Sequence, residues 1–544
     1  MITKIKNFFA SKSLTVNQLI LLISLYFVLI LNEPFWSLAF ERIMKLEQHS
    51  TAFMISVPFL LMSLLVIVFS LFSIKYIIKP AFILLTIVSA LVFYATYEYG
   101  VVFDYSMMVN VVETDNAEAF AYLNIYAVIF FLLLGVIPAI LIALVNIKYH
   151  SAPKELLLRV KLIVAALIVF LLIAFFFYSN YAAFGRNNKE LKRYIIPIQF
   201  IDSSYKVIRD KYFSEPLVFK ILDDAPSLKT PEQDSQKVTI LVIGETARAM
   251  NFSYNGYHRD TNTYTKAFDP IYFQNVTSCG TATAVSVPCL FSAQKRENFD
   301  KKLADHQQNF LDIAKLAGAD VIWVDNNSGC KGVCKRVETI EIPTNKSHPL
   351  CDGDYCFDEV LLPELTKKLS HLQAKNTLIV LHMIGSHGPT YYRRYPKKLA
   401  KYQPDCPRSD IQNCTQEQLI NTYDNTIAYT DYVLAKIINI LTKLPQKNIQ
   451  ASMLYISDHG ESLGENGAYL HGFPYAFAPD EQIEVPMLFW STANDTSIDT
   501  QCLRQKATTE TYSHDNVFST LLDLTNIKTS AYQQRDDILA SCRK

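Results

Sequence analysis

The chain has 544 residues, with 51 basic and 51 acidic side chains and 50% hydrophobic residues. This length allows more than one domain, and zero net charge gives no reason to expect nucleic-acid binding. All ten cysteines lie between Cys279 and Cys542, so the two halves of the chain belong to different compositional classes.

Five apolar runs occupy the N-terminal part of the chain. Each is close to the roughly 20 residues that a helix needs to cross a bilayer. The first run lacks a small-residue cleavage site and is followed by further spans, so it is not a cleavable signal peptide. We therefore predict a membrane domain of five transmembrane helices over residues 1–184, with spans at about 16–40, 52–74, 81–99, 122–146 and 161–184.

Basic residues predict the orientation of these spans. They precede the first span and lie between the second and third and between the fourth and fifth: Lys4, Lys6, Lys12, Lys75, Lys79, Lys148, Lys154, Arg159 and Lys161. The loop at 100–123 has no lysine or arginine and carries four acidic residues, Asp104, Glu113, Asp115 and Glu118. The positive-inside rule then places the N-terminus in the cytoplasm and everything after Phe184 outside.

The cysteines indicate the same compartment, because they form close sequence neighbours. An even number in local pairs favours disulfides in an oxidising environment, and no two-plus-two CxxC arrangement supports the alternative of a structural zinc site. The predicted pairs are Cys279 with Cys289, Cys330 with Cys334, Cys351 with Cys356, Cys406 with Cys414, and Cys502 with Cys542.

After the membrane domain, residues 185–236 mix basic and apolar residues and end in the polar "LKTPEQDSQ", which predicts interfacial helices and a linker. Residues 237–544 then alternate short apolar runs with stretches of helical periodicity. Continuous apolar runs of this length fit strands buried on both faces, so we predict an α/β domain with a parallel sheet covered by helices. The five runs are "KVTILVIG", "ADVIWV", "NTLIVLHMI", "ASMLYIS" and "VPMLFW".

Polar residues follow four of these runs, in the segments "GET", "DNNS", "HMIGSHG" and "DHG". Ligands of open α/β sheets bind beyond the carboxyl ends of the strands, so the four segments are expected to converge on one site. Glu245, Asp458 and His459 offer ligands that zinc accepts, and His387 and His471 are two further candidates. The alternative for each is a hydrogen-bonded polar residue in a loop.

The stretch "SCGTATAVSVPC" places hydroxyl groups between Cys279 and Cys289. A threonine or serine hydroxyl is a weak nucleophile until a metal or a base activates it, and a disulfide ring would fix its position. A surface staple is the alternative reading of this ring. The residues alone leave four nucleophiles open: Thr246, Thr281, Thr283 and Ser286.

Long motifs over essentially the whole chain resemble the lipid A phosphoethanolamine transferases, which include the mobile colistin-resistance enzymes. They are "VIGETARAMNFSYNGYHRDT", "SCGTATAVSVPC", "DNNSGCKGV", "GSHGPTYYRRYP" and "SDHGESLGENGAYLHGFPYAFAP". The resemblance implies a catalytic domain of the alkaline phosphatase and sulfatase type, although fold alone does not decide function.

The resemblance also implies site residues. The nucleophile corresponds to Thr283, and the zinc ligands to Glu245, Thr283, Asp458 and His459. His387 and His471 correspond to residues that bind the phosphoryl group or a second zinc ion. Asn327, Ser328 and Lys331 match positions near the phosphoethanolamine. The pair Cys330 and Cys334, which flanks Lys331, is absent from some relatives.

The implied activity is transfer of phosphoethanolamine from phosphatidylethanolamine to a phosphate of lipid A through phospho-Thr283, with one or two zinc ions. The implied setting is a monomeric, multi-pass enzyme of the Gram-negative inner membrane, with a periplasmic catalytic domain and lipids as its partners. The expected consequence is resistance to polymyxin and other cationic peptides. One rival is a transferase acting on lipopolysaccharide core sugars. A membrane-anchored sulfatase or phosphodiesterase is the other, and "CGTAT" disfavours it because sulfatases use a modified cysteine or serine.

The loop between the third and fourth spans, "MMVNVVETDNAEAF", is unusually polar. Asn110, Thr114 and Glu118 recur every four residues, so on one helix they would share a face. A solvated helix face is the alternative reading. The matching family residues line the phosphatidylethanolamine site, which implies that Glu118 pairs with the donor ammonium while the other two bind its polar head.

Overall fold

The computed structural model describes residues 13–45, 50–114, 116–213, 217–229 and 236–544. These ranges do not include Lys4, Lys6, Lys12, Asp115 or residues 230–235 of the predicted linker. The chain forms two compact units. One comprises Met1–Tyr105 and Leu123–Lys206, and the other comprises Ser106–Tyr122 and Val207–Lys544.

The first unit is helical. Among the described residues, four helices are long and apolar enough to cross a membrane, and a bent pair makes up to five if it counts as one span. This matches the predicted helical membrane domain. The α-helices are Val16–Tyr26, Glu33–Met44, Thr51–Phe72, Ile78–Tyr99, Ile125–Phe130, Ile137–Leu144, Ala152–Phe176 and Tyr178–Asn187, with π-helical turns at Phe27–Leu31 and Phe131–Val136 and short paired strands at Ser13–Thr15 and Asn146–Lys148.

The first predicted span is not one straight helix. The pair Val16–Leu31 and Glu33–Met44 bends by 61°. Pro34 stands in the first turn of the second helix, where it has no N–H to continue the preceding helical hydrogen bonds. Buried Asn32 stabilises the bend, since its amide donates to the carbonyl of Ile196 at 2.7 Å and its oxygen accepts the N–H of Ile196 at 2.9 Å.

The last span begins earlier than predicted, because Lys154, Arg159 and Lys161 lie within the helix Ala152–Phe176 rather than in a loop. Lysine and arginine are good helix formers, so charge alone does not set a helix boundary. Arg159 donates to the carbonyl of Ser73 at 2.6 Å, beyond the end of the helix Thr51–Phe72, where carbonyl groups lack helical partners. The helix Ile198–Ile208 follows in the predicted interfacial region.

In residues 236–544 the central element is a seven-stranded sheet. Its strand order is Ile271–Phe273, Met487–Ser491, Ile449–Ser457, Gln236–Gly244, Asn376–His382, Asp320–Asp325 and Glu338–Glu341. The last five strands pair in parallel. Four of them are predicted apolar runs, whereas the edge strand Glu338–Glu341 is polar and was not predicted. Their carboxyl ends therefore share one edge of the sheet.

The run "VPMLFW" is an exception to the predicted parallel sheet. Its strand, Met487–Ser491, pairs antiparallel with Ile449–Ser457 and with Ile271–Phe273. For the next strand to be parallel to Ile449–Ser457, a crossover connection, usually a helix, must carry the chain back to the edge of the sheet where that strand begins. Between these strands the chain has only short pieces such as the helix Asp480–Ile483, so it re-enters the sheet from the edge at which it left.

Helices cover the sheet. The helices Phe310–Leu316 and Val517–Leu524 contribute Phe310 and Leu521 to one buried cluster with Trp323 and Val380 of the sheet. The longest helix, Gln416–Leu441, starts at a capping box made by Thr415 and Gln418. The remaining α-helices of this range are Thr283–Leu290, Lys301–Asp305, Leu361–Leu369, Asp480–Ile483 and Thr500–Thr509.

Short strand pairs and disulfides complete this unit. The antiparallel pairs are Ser462–Leu463 with Tyr469–Leu470 and Ile527–Lys528 with Ser227–Leu228, and the parallel pair is Thr511–Ser513 with Asn275–Thr277. All ten cysteines form disulfides in the predicted pairs: Cys279–Cys289, Cys330–Cys334, Cys351–Cys356, Cys406–Cys414 and Cys502–Cys542.

The segment Ser106–Tyr122 is not one continuous helix. The four-residue spacing of Asn110, Thr114 and Glu118 therefore does not place them on one helix face. The helix Tyr105–Glu113 ends before Thr114, and a second helix spans Asn116–Ala121. The Thr114 hydroxyl donates to the carbonyl of Asn110 at 2.8 Å. Short polar side chains compete with the backbone for hydrogen bonds in this way and favour helix ends, which explains the break.

Candidate active site

Three predicted ligands meet at the carboxyl ends of two neighbouring central strands. Glu245 follows the strand Gln236–Gly244, and Asp458 and His459 follow its parallel neighbour. One ligand atom from each residue lies within 4.8 Å of the others, and all three side chains are fully buried. His459 Nε2 is 3.3 Å from Glu245 Oε1 and 3.4 Å from Asp458 Oδ2. Because its Nδ1 lies 2.9 Å from the carbonyl of Gly460, its Nε2 is oriented towards both carboxylates.

The chemistry of this cluster fits a divalent cation. Asp458 Oδ2 is buried and accepts no hydrogen bond from the part of the chain that the structure describes. Burial and the charge of neighbouring Glu245 raise the pKa of the Asp458 carboxyl, since two anions so close disfavour each other. Two carboxylates and an imidazole form a donor set that zinc accepts. A cation here would coordinate the unpartnered oxygen and neutralise the repulsion.

Thr283 presents its hydroxyl to this cluster. Its Oγ1 lies 3.1 and 3.2 Å from the two carboxylate oxygens of Glu245 and 3.4 Å from His459 Nε2. It is the first residue of the helix Thr283–Leu290, whose N-terminus favours negative charge. The Cys279–Cys289 disulfide joins the preceding loop to this helix and restricts where the hydroxyl can lie.

The structure separates the four hydroxyl groups that the sequence leaves open. Thr281 and Ser286 each donate to a backbone carbonyl elsewhere in the domain. Thr246 donates to Glu245 Oε1 at 2.7 Å, but its side chain is completely buried. Only Thr283 among the four both contacts the cluster and retains some exposure, 6%.

His387 and His471 lie beside the same cluster. The ring centroid of His471 is 4.5 Å from that of His459 and 5.4 Å from that of His387. His471 Nδ1 is 3.1 Å from Glu461 Oε1, and His387 Nε2 is 3.5 Å from Glu118 Oε1. The three imidazoles therefore form one contiguous group, and a carboxylate contacts each of them.

Backbone contacts position the loop that carries His387. Gly385 has a φ of +51°, and a Cβ there would lie 2.6 Å from the carbonyl oxygen of Glu245, so this position requires glycine. Asp358 accepts the N–H groups of Gly385 and of the residue before it, at 3.0 and 2.9 Å. Burial raises the pKa of Asp358 to about 6. Buried Arg394 donates to the carbonyl of His387 at 2.7 Å.

Asn327, Ser328 and Lys331 lie in one loop at the same edge of the sheet. Asn327 Nδ2 donates to Glu245 Oε2 at 2.7 Å, so this amide contacts the cluster directly. Lys331 Nζ donates to Ser328 Oγ at 2.8 Å and to its carbonyl at 3.1 Å. Lys331 has a φ of 48° and lies within the ring that the Cys330–Cys334 disulfide closes.

The segment Ser106–Tyr122 brings Glu118 to this site. Burial alone would raise the pKa of Glu118, but the hydrogen bond and charge of His387, together with Lys331, lower it. Glu118 is therefore an ionised carboxylate beside His387.

Two further contacts fix this segment on the α/β domain. Glu113 Oε1 pairs with Lys301 Nζ at 3.0 Å, and its carbonyl accepts Lys331 Nζ at 3.5 Å. Asn110 is buried, with 7% of its surface exposed. The predicted donor-site residues thus belong to the same unit as the cluster, although the helix break separates them along the chain.

Sequence reasoning assigned no role to three buried residues near the cluster, although Asp325 and His382 begin the segments "DNNS" and "HMIGSHG" that are expected to converge on the site. Glu461 contacts His471, and its only signal is its position three residues after Asp458 in the segment "DHGES". His382 and Asp325 form a buried pair, with 2.9 Å between Nδ1 and Oδ2. Their signal is that each ends an apolar run that otherwise reads as a buried strand.

Taken together, the geometry provides a hydroxyl in a buried anionic cluster suited to a cation, flanked by imidazoles and one lysine. Such a set can activate an oxygen nucleophile and stabilise charge on a phosphoryl or sulfuryl group. It does not by itself distinguish these substrates.

Two family models match the chain. The model described as "Phosphoethanolamine transferase EptA/EptB" matches residues 61–212. The model described as "Sulfatase" matches residues 237–527 and so includes every residue of the cluster. The α/β domain is therefore of the sulfatase and alkaline phosphatase type.

The chain is also similar to proteins of known identity over most of its length. It is 41% identical over 545 residues to phosphoethanolamine transferase EptA of Escherichia coli strain K12, covering 99% of each chain. It is 39% identical over 484 residues to phosphatidylethanolamine transferase Mcr-1 of Escherichia coli, covering 87% of this chain and 88% of that one. The solved structure of the integral membrane lipooligosaccharide phosphoethanolamine transferase A from Neisseria meningitidis matches with a TM-score of 0.94 at 38% identity, covering 98% of this chain and 100% of that chain.

Proposed function

The chain belongs to the phosphoethanolamine transferase family that includes EptA, and on that premise we propose that it transfers phosphoethanolamine from phosphatidylethanolamine to a phosphate of lipid A. One observation carries this proposal: Thr283 Oγ1 lies within 3.2 Å of both Glu245 carboxylate oxygens and 3.4 Å from His459 Nε2. A nucleophile in such surroundings is the essential part of a covalent phosphoryl transferase.

The proposed setting is the Gram-negative inner membrane. Residues 1–184 would anchor the enzyme, 185–236 would lie at the membrane surface and act as a linker, and 237–544 would form the periplasmic catalytic domain. Disulfides throughout the catalytic domain support an oxidising compartment. We propose that the enzyme acts as a monomer.

Glu245, Asp458, His459 and the Thr283 oxygen would bind a zinc ion, and His387 and His471 would bind the phosphoryl group or a second zinc ion. The unpartnered Asp458 Oδ2 supports this assignment. Zinc bound at these residues would lower the pKa of the attacking hydroxyl and stabilise negative charge on the phosphoryl oxygens.

In the proposed first step, Thr283 Oγ forms a bond to the donor phosphorus, and the bond from phosphorus to the glycerol oxygen breaks. Diacylglycerol leaves with one proton, which balances the proton that Thr283 loses. Lys331 and the imidazoles of His387 and His471 would contact the phosphoryl oxygens, where preorganised positive groups are most effective. Glu118 would pair with the ammonium group of the donor.

In the second step, an oxygen of a lipid A phosphate attacks the phosphorus of phospho-Thr283. The bond between phosphorus and the Thr283 oxygen breaks, and Thr283 regains its proton. Because donor and acceptor react in turn, ping-pong kinetics are expected. The product carries an added ammonium group, so the outer leaflet becomes less anionic and should bind polymyxin less.

The decisive experiment is mass spectrometry of lipid A and of core oligosaccharide from cells with and without the protein. Phosphoethanolamine on lipid A, with a raised polymyxin tolerance, is the expected result. Modification of the core sugars alone would instead establish the core-sugar transferase. Absence of any phosphoethanolamine in both fractions would contradict the proposed activity.

Replacing Glu118 by glutamine should weaken use of the lipid donor. The substitution keeps the shape but removes the charge that would pair with the ammonium, so the KM for phosphatidylethanolamine should rise about tenfold, the equivalent of roughly 1.4 kcal/mol. Occupancy of the zinc site formed by Glu245, Asp458 and His459 should not change, because the substitution leaves these three ligands in place.

Steady-state kinetics with a fluorescent donor and metal analysis of the same protein measure both quantities. Glu364→Gln is the matched control, since it makes the same change on the helix Leu361–Leu369 at a partly exposed pair with Lys367. An unchanged KM in Glu118→Gln would show that this segment does not bind the donor head group.

A further inference from the structure

A buried aspartate and histidine face each other at the ends of two neighbouring strands. The register of the sheet pairs Asp325, the last residue of its strand, with His382, the last residue of the next. His382 is 0% exposed and Asp325 is 3% exposed. Burying two titratable side chains is costly unless they are paired and hydrogen-bonded, so this pair calls for a specific explanation.

The hydrogen bonds to Asp325 determine whether its carboxyl group is ionised. Its Oδ2 accepts Trp323 Nε1 at 2.6 Å and faces His382 Nδ1, and its Oδ1 accepts the backbone N–H groups of Asn327 and Gly329 at 2.8 and 3.2 Å. Three N–H donors on its two oxygens stabilise the ionised form of Asp325. An ionised carboxylate only accepts, so His382 Nδ1 carries a hydrogen.

The other nitrogen of His382 faces Asn327. The distance between His382 Nε2 and Asn327 Nδ2 is 3.2 Å, and since an amide nitrogen only donates, Nε2 is the acceptor. The two hydrogens of Asn327 Nδ2 are shared among three acceptors, because Nδ2 also lies 2.7 Å from Glu245 Oε2 and 3.0 Å from the carbonyl of Met383, while the amide oxygen accepts the N–H of Ser328. A flipped amide would place its oxygen against two other oxygens, so the amide has one allowed orientation.

We propose that His382, oriented by Asp325, is a positioning residue for the metal site, because it fixes the Asn327 amide, which in turn fixes the Glu245 carboxylate. The inference rests on the proposed function in taking Glu245 as a metal ligand. Thr283 also donates to this carboxylate, so the same contacts position the nucleophile. Partners that orient metal ligands typically contribute about tenfold to a hundredfold to metal affinity.

Two substitutions at His382 test its contact with Asp325 and its contact with Asn327 independently. Asparagine places an N–H near the Nδ1 position, so it can still bond Asp325 but offers Asn327 no acceptor. Glutamine reaches the Nε2 position with its oxygen, so it can still accept from Asn327. In purified full-length protein in detergent, the Kd for zinc should rise about tenfold to a hundredfold in His382→Asn and less in His382→Gln.

The kinetic readout separates positioning from a merely structural role. In zinc-saturated His382→Asn, kcat should fall while the KM for the donor changes little, because His382 is 0% exposed and offers no surface for a donor to contact. Thr377→Val is the matched control, since Thr377 lies buried in the same strand and its hydroxyl has no hydrogen-bond partner within the described residues. Zinc affinity of this control should equal that of the unaltered protein, and thermal unfolding of the metal-free proteins reports stability separately.

A lowered unfolding temperature with unchanged zinc affinity in His382→Asn would overturn the inference, since the pair would then only stabilise the core. If His382→Asn does not fold, Asp325→Asn provides the test. Asp325 accepts hydrogen bonds at both of its oxygens, whereas an asparagine amide has only one accepting oxygen. Unchanged zinc affinity in Asp325→Asn would also overturn the inference. The same measurements distinguish an error in the proposed metal site from an error in the role of His382. If the metal site is wrong, the unaltered protein binds no zinc, and both proposals are then wrong.

Discussion

Replacing Thr283 by alanine is expected to abolish transfer, with kcat reduced at least about 10⁴-fold, as for other enzymes that lose a covalent nucleophile. The hydroxyl of Thr283 contacts both Glu245 and His459, and the three other candidate hydroxyls are either engaged elsewhere or fully buried. Thr281 and Ser286 are engaged by backbone carbonyls, and Thr246 is fully buried. Product formation on lipid A, followed by mass spectrometry, measures the loss.

Two companion variants make this test specific. Thr281→Ala removes a hydroxyl from the same disulfide ring and should keep most of the activity, whereas Thr283→Ser retains a hydroxyl and should recover part of it. Intact-protein mass spectrometry should detect phosphoethanolamine on the unaltered chain but not on Thr283→Ala. Transfer that survives in Thr283→Ala but disappears in Thr281→Ala would show that the nucleophile is assigned wrongly.

Replacing Asp458 by asparagine should remove both zinc and activity. Asp458 Oδ2 has no hydrogen-bond partner in the described chain, so a bound cation would give this oxygen the partner that it lacks. Zinc affinity should fall by at least about a hundredfold, since an anionic ligand is lost. The metal-free variant should unfold at the same or a higher temperature than the metal-free parent, because the substitution removes one of two buried like charges.

Metal analysis and thermal unfolding, both with and without a chelator, measure these quantities. In the parent protein, EDTA should remove activity, and zinc should restore it better than magnesium, which prefers an all-oxygen octahedral site. Asp480→Asn, on the short helix Asp480–Ile483, makes the same change at an exposed side chain and should leave zinc content unchanged. Full zinc content in Asp458→Asn would exclude this carboxylate as a ligand.

The sequence predicts those parts of the fold that depend on local pattern. Apolar length predicts the spans, and continuous apolar runs predict the strands whose carboxyl ends bring Glu245 and Asp458 together. The direction of Met487–Ser491 depends on the path of the chain between strands, and an apolar run does not encode that path. A four-residue spacing likewise could not reveal that the helix carrying Asn110 ends at Glu113.

The roles of His382 and Asp325 show a second limit of single-sequence reasoning. His382 and Asp325 stand at the ends of apolar runs, where a polar side chain is equally compatible with solvent or with a loop. Their significance depends on a contact across 57 positions of sequence, which only the strand register creates. Single-sequence patterns describe neighbours along the chain, and these residues act through neighbours across the sheet.

The segment Ser106–Tyr122 has a practical consequence for inhibitor discovery. It lies between two membrane spans in the sequence, yet Glu118 contacts His387 and Glu113 contacts Lys301. A soluble fragment beginning near residue 236 would lack these carboxylates, so a screen against it would expose a surface of His387 that the intact protein covers. Cationic compounds that pair with Glu118 would be overlooked, and anionic compounds would be overrated, which makes the detergent-solubilised full-length enzyme the appropriate screening target.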